Sequence, residues 1–118
     1  MVLPRRPPKS AAEVLLRLTE ACQHVSYIGV AADREGLRPA MGMRLCGFAV
    51  RESAAVGAAA TFILRHGVSS AAPLLIPVEL LANESAREYW WPGINADAGV
   101  WIDWIAGEFD IALFYNVR

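Results

Sequence analysis

The chain is poor in the residues that chemistry needs. It has two histidines, His24 and His66, and two cysteines, Cys22 and Cys46. A metal centre of the cupin type needs several histidines and a carboxylate converging on one ion. Two histidines on separate segments, without ligand-spaced partners, read as solvent-facing or hydrogen-bonded rings. The cysteines have no CxxC spacing, and the expectation is two reduced, buried thiols in a protein made in a cytosol, with a disulfide as the competing reading. Cys22 and His24 would share one face of an extended segment, which is too little to define a nucleophile and its base. No GxSxG, GxxxxGK[ST] or GxGxxG is present. Glu84 with Glu88, or Asp103 with Asp110, could approach one another, but nothing in the sequence builds a cleft around them, so they read as solvated charge. No enzymatic activity, cofactor or metal is expected.

Charge is scarce as well. Charged residues make up 19% of the chain, with a net charge of −1, against about 25% in ordinary globular proteins. No basic patch is dense enough to release counterions from nucleic acid. Apolar runs are broken by charge, glycine or proline well short of the roughly 20 residues of a membrane span. Glu13, Arg17 and Glu20 interrupt 11–21, so the N-terminus does not read as a secretory signal. Neither nucleic acid nor membrane is expected as a partner.

Apolar side chains, by contrast, are abundant: 55% of 118 residues, where about 45–50% is usual. One domain of this length buries roughly two-thirds of its unfolded surface. The excess must enter an unusually large core or contacts with other chains. Two regions are expected, an arm over 1–22 and a β domain over 23–118. The arm opens MVLPRRPPK, where Pro4, Pro7 and Pro8 block helix and ladder alike and impose an extended, polyproline-like course. It is either a frayed terminus or a segment whose Arg5, Arg6 and Lys9 meet acidic surface on a neighbouring chain. Ser10-Ala-Ala-Glu13 has capping-box spacing, and Val14, Leu15, Leu18 and Cys22 recur at helical intervals. A short helix over 11–22 is expected, or else more extended arm with a strand beginning near Leu16.

From His24 the pattern changes to short strands. His24–Val30 is β-branched and aromatic, stopped by a turn at Asp33–Gly36. Arg44–Glu52 and Ala58–His66 follow, the latter alternating Phe62 and Leu64 against Thr61, Ile63 and Arg65. Leu74–Leu81 contains Pro77, which lacks a ladder donor and so belongs at a sheet edge or a bulge. Ser85–Trp91 ends at Pro92-Gly93, a type II turn signal. Val100–Ile105 and Phe109–Val117 form a hairpin around Ala106-Gly107-Glu108. The last strand has the strongest pattern, with Phe109, Ile111, Leu113, Tyr115 and Val117 alternating against Asp110, Ala112, Phe114 and Asn116. The fold class expected is all-β, an antiparallel sandwich or jelly roll of seven or eight strands behind an extended arm. Its core should include Phe62, Leu64, Ile102, Trp104, Ile111 and Leu113.

All four tryptophans fall in 90–104. Alternation separates Trp101, Asp103 and Ile105 from Val100, Ile102 and Trp104, and splits adjacent Trp90 and Trp91 between two faces. The second set goes to the core. The first leaves Trp101, Ile105 and one of Trp90 or Trp91 outward, first of all a surface for another chain, or else a core extended by a helix or the arm, or a ligand platform. A symmetric homo-oligomer would hide the same patch on every copy.

Residues 45–118 also resemble the small β-sandwich structural proteins of tailed phages that infect actinobacteria. The similar elements are RESAA at 51–55, AAAT at 58–61 with an LRxG strand end, LxxNES at 80–85, a G-I-x-x-x-x-G-V-W segment at 93–101, and a terminal strand with aromatic residues at 109 and 115. The resemblance implies a non-enzymatic virion protein, made in the host cytoplasm, that decorates the capsid by binding the major capsid protein. It equally suits a head–tail or tail protein, and it implies a trimer. The chain before Leu45 carries none of it. A carbohydrate-binding sandwich built on the tryptophans and a cupin-like enzyme are the alternatives from other classes.

Overall fold

The computed structural model describes residues 24–117, apart from the side chains of Trp91 and Pro92. The arm with Arg5, Arg6 and Lys9, and the helix expected over 11–22, lie outside the described residues. The described residues form eight strands and no helix: β1 His24–Val30, β2 Arg34–Leu37, β3 Arg44–Glu52, β4 Ala60–His66, β5 Leu74–Leu80, β6 Ser85–Asn95, β7 Val100–Ala106 and β8 Phe109–Asn116. Two four-stranded antiparallel sheets result, ordered β1-β8-β3-β6 and β2-β7-β4-β5.

The order follows one rule. The first strand pairs with the last, the second with the seventh, the third with the sixth and the fourth with the fifth. A long four-ply hairpin with its tip between β4 and β5 has rolled up, closed by the additional pairs β3–β8 and β4–β7. This is jelly-roll connectivity, and the expected β-sandwich is the fold observed.

Alternation explains how the core fills. Phe62 and Leu64 of β4, Val100 and Ile102 of β7, and Phe109, Ile111 and Leu113 of β8 are fully buried between the sheets. Trp104 packs against this cluster only partly buried, its Nε1 donating to the Gly107 carbonyl at 2.7 Å. Five of the six expected core residues are therefore fully enclosed, and the sixth forms the core's margin. Pro77 lies in β5, at an edge of the second sheet, where a missing N–H removes no ladder bond.

Four local expectations need correction. Arg34–Leu37 is a short edge strand rather than a turn. Its Gly36 and Leu37 are buried, and the bend falls earlier, at Ala31–Ala32. Pro92-Gly93 does not end β6. The strand bulges there and resumes, since Tyr89 faces Gly47 while Ile94 faces Leu45. Gly93 supplies the positive φ of 101° that the bulge requires, and Cys46 is the matching extra residue opposite β8. β7 and β8 are not a hairpin, because each joins a different sheet. The link between them crosses at Gly107, whose φ is 83° and where a Cβ would sit 2.5 Å from the Ala59 carbonyl oxygen. Finally, Cys46 is disulfide-bonded, not a free thiol; Cys22 lies outside the described residues.

The loops gather at the two ends of the roll. At one end the 96–99 turn, 38–43 and 67–73 are joined by Ala40 N to Asp97 O, Ala96 N to Met43 O and Gly67 N to Gly99 O. At the other end a single carboxylate organises the chain. Glu52 continues the inward series of Phe48 and Val50 and is buried. It accepts hydrogen bonds from the amides of Asn83 (2.8 Å), Ala54 (2.8 Å) and Ala58 (3.4 Å), so it ties the β3–β4 loop to the β5–β6 turn. The Asn83 bond, reinforced by those of Ala54 and Ala58 against the opposing effect of burial, holds its carboxyl below the ordinary 4.5. A carboxylate with a depressed folded pKa adds stability above its unfolded pKa and loses it as pH falls through the folded value. Glu52→Gln should therefore have a lower Tm than wild type at neutral pH. The gap should narrow once the pH drops below 4.5, as thermal melts followed by circular dichroism would show.

Candidate interaction surfaces

The outward face of the second sheet is built by register. Trp101 of β7 lies between Glu35 of β2 and Arg65 of β4, and Asp103 faces Ile63, which faces Pro77. Arg65 Nε donates to Asp103 Oδ2 at 2.8 Å, both side chains being largely covered, and Nη1 reaches the Ala72 carbonyl. Beside this pair Ile105 is 50% exposed. The indole N–H of Trp101 is buried and meets no acceptor among the described residues. Together they make an aromatic and aliphatic strip pinned by one ion pair.

The expected interface residues are therefore divided. Trp101 and Ile105 share the outward face, on the side that alternation assigns them. Trp90 is half-buried and packs against the core, its ring 5.8 Å from that of Phe48. The side chain of Trp91 and residues Arg5, Arg6 and Lys9 lie outside the described residues. With Trp90 and Trp104 both turned to the core, the described tryptophans do not form a common platform.

The outward face of the first sheet carries a second aromatic strip that the tryptophan-centred reading overlooked. One row runs Val25, Phe114, Gly47, Tyr89; the next runs Tyr27, Ala112, Ala49, Arg87; the third runs Gly29, Asp110, Arg51, Ser85. Tyr89 and Phe114 meet across Gly47 with ring centroids 5.7 Å apart. Gly47 lets the backbone of β6 approach β3 closely, since a Cβ there would strike the Glu88 carbonyl. Tyr27 and Val25 are 68% and 60% exposed. Arg51 and Asp110 form a 3.5 Å ion pair at the margin. Asp103 and Asp110 thus lie on opposite outer faces, each with its own arginine, and are not a carboxylate pair. A cleft of about 600 Å³ opens between β1 and β2, lined by Tyr27, Arg34, Glu35, Arg38, Met43 and Tyr115 among others.

Among the described residues no group of three or more histidine, cysteine, aspartate or glutamate side chains is placed to hold a metal. His24 is exposed and stacks on Tyr115 at 5.3 Å. His66 Nε2 accepts the Ala98 amide at 3.2 Å and lies 3.3 Å from Asp97 Oδ1, which fastens β4 to the 96–99 turn. Glu84 Oε2 accepts the Leu81 amide. Among the described residues no helix is long and apolar enough to cross a membrane.

These features define a jelly-roll sandwich with outward apolar strips on both sheets. No protein family, curated protein or solved structure matches the chain.

The two faces of β7 separate under mutation. Trp104→Ala removes packing at the core margin and the Gly107 bond, so it should cost about 3 kcal/mol of stability. Trp101→Ala, on the outward face, should cost at most about 1 kcal/mol. Urea denaturation of both variants is the measurement, and equal losses would contradict the assignment of faces.

Proposed function

We propose that this chain is a non-enzymatic structural protein of a phage virion, a subunit that decorates the capsid by laying its Trp101–Ile105 face and its basic arm on the shell. The observation that carries the reading is the outward strip of the second sheet. Trp101, Ile63 and Ile105 around a covered Arg65–Asp103 pair have the make-up of an interface centre, aromatic anchors with charge already neutralised. The likeness of residues 45–118 to virion proteins of actinobacterial phages points the same way. The roll itself is shared by capsid subunits, lectins and cupins, so the fold alone favours none of them. A disulfide at Cys46 suits a protein whose working life is spent outside a reducing cytoplasm, as on a virion surface. The major capsid protein is the first candidate partner, and a head–tail or tail position uses the same face on a different neighbour.

Purified particles of the virus whose genome encodes the chain provide the test. The protein should be present in many copies and be labelled over the head by antibody. Trp101→Ala should weaken attachment on the order of 2–4 kcal/mol, and deletion of 1–9 should weaken it further while leaving the β-sheet circular dichroism intact. Particles that lack the protein overturn the proposal. Labelling confined to the tail moves it to the alternative position.

A further inference from the structure

The four outer edges of the sandwich are not equally protected. A free strand edge is a row of unpaired amides and carbonyls that templates another strand, and proteins blunt such edges with charge, proline, bulges or shortness. β2 is four residues long, begins Arg34-Glu35 and carries a register shift. β5 has Pro77 and Glu79. β6 has Arg87, Glu88 and the bulge between Tyr89 and Ile94. β1, reading HVSYIGV, has none of these devices. It holds no Asp, Glu, Lys, Arg or Pro, and all seven of its residues stay in unbroken register with β8. Among the described elements nothing pairs with its other side.

We infer that β1 is a pairing edge, and that its occupant is β1 of a second copy of this chain, antiparallel across a two-fold axis. The pairing that overlaps all seven residues sets His24 opposite Val30 and places the axis at Tyr27. Val25 of one copy then lies opposite Gly29 of the other, a large side chain beside an absent one. Because the strand is uncharged, no like charges are set opposite each other, which is what a self-paired strand requires. Arg34 Nη1 reaches the Gly29 carbonyl at 3.3 Å, over an exposed bond that a partner amide would replace. The pairing joins two first sheets into one eight-stranded sheet. The Val25–Phe114–Tyr89 and Tyr27 strips then become continuous with their symmetry mates. Being isologous, the contact closes on itself and uses up the open edge. It builds a dimer, where the phage resemblance implies a trimer. Residues 1–8 of this chain are a poorer occupant, since Pro4, Pro7 and Pro8 have no amide to donate.

The inference does not depend on the proposed virion role and is tested on the isolated full chain. Light scattering across a dilution series should show a monomer–dimer equilibrium. Hydrogen exchange should show amides within 24–30 becoming protected as concentration rises. Tyr27→Lys puts two ammonium groups at the axis and should raise the dissociation constant about fivefold, with circular dichroism unchanged. Val25→Lys combined with Gly29→Lys, which sets like charges opposite each other on both sides of the axis, should act alike and serves if Tyr27→Lys fails to fold. Leu81→Lys, exposed on a turn remote from β1, should leave the equilibrium alone. A wild-type monomer at every concentration overturns the inference, and one whose 24–30 amides are already protected identifies the chain's own segment as occupant instead. A dimer that survives both lysine variants also overturns it. None of these results bears on presence in virus particles.

Discussion

The two sheets are fastened where Phe62 stacks on Phe109, their ring centroids 4.2 Å apart and nearly parallel. Phe62 comes from β4 of the second sheet and Phe109 begins β8 of the first, and neither has any exposure to solvent. Each aromatic ring of this kind removes 150–250 Å² from water, at roughly 25 cal/mol per Å². The contact also sets geometry. For Phe109 to reach Phe62, the chain leaving β7 must pass from one sheet to the other within Ala106–Glu108, and only a glycine fits against the Ala59 carbonyl at that crossing. Ser53 N bonding to Glu108 O and the Trp104 indole bonding to Gly107 O then lock the same corner.

Much of this was legible because the informative pattern is local. Alternation along β8 and β4 fixed which side chains face inward, and Pro77 marked an edge, since both depend on strand geometry alone. What escaped depends on partners distant in sequence. A short glycine link between two strands looks the same whether the strands pair or part, so β7 and β8 were expected as a hairpin. Pro92-Gly93 offers a positive φ that serves a turn or a bulge equally, and pairing of Ile94 and Asn95 with β3 decides for the bulge. Arg34-Glu35-Gly36 is too polar to announce a strand, yet an edge position asks little of its outer side. The site residues divided likewise: Trp101 and Ile105 followed from alternation. Tyr27, Phe114 and Tyr89 come together only once β1, β8, β3 and β6 are side by side. Glu52 fell on the core face of β3 by simple alternation, but which amides would meet it was set by the β5–β6 turn.

Polar atoms in this molecule are concentrated where segments must be joined. Glu52 gathers three amides from two loops at one end, His66 holds the 96–99 turn at the other, and Arg65 links β7 to the 67–73 loop. The broad outer faces are left largely to apolar and aromatic side chains, with the Arg51–Asp110 pair at the margin of one and the covered Arg65–Asp103 pair within the other. This division places the polar fastening at the ends of the roll and leaves the faces apolar.

The pairing of the first strand with the last has a kinetic side. β1 finds its only described partner in β8, whose residues are synthesised last among the described strands, and β3 obtains one of its two neighbours there as well. Such long-range pairing must meet its loop-closure entropy before any contact rewards it, so folding is slow compared with chains rich in local contacts. On the ribosome only the β4–β5 tip has its nearest partner immediately to hand. Until Phe109–Asn116 emerges, β1 and β3 present open edges to other chains, the period in which aggregation competes most directly with folding.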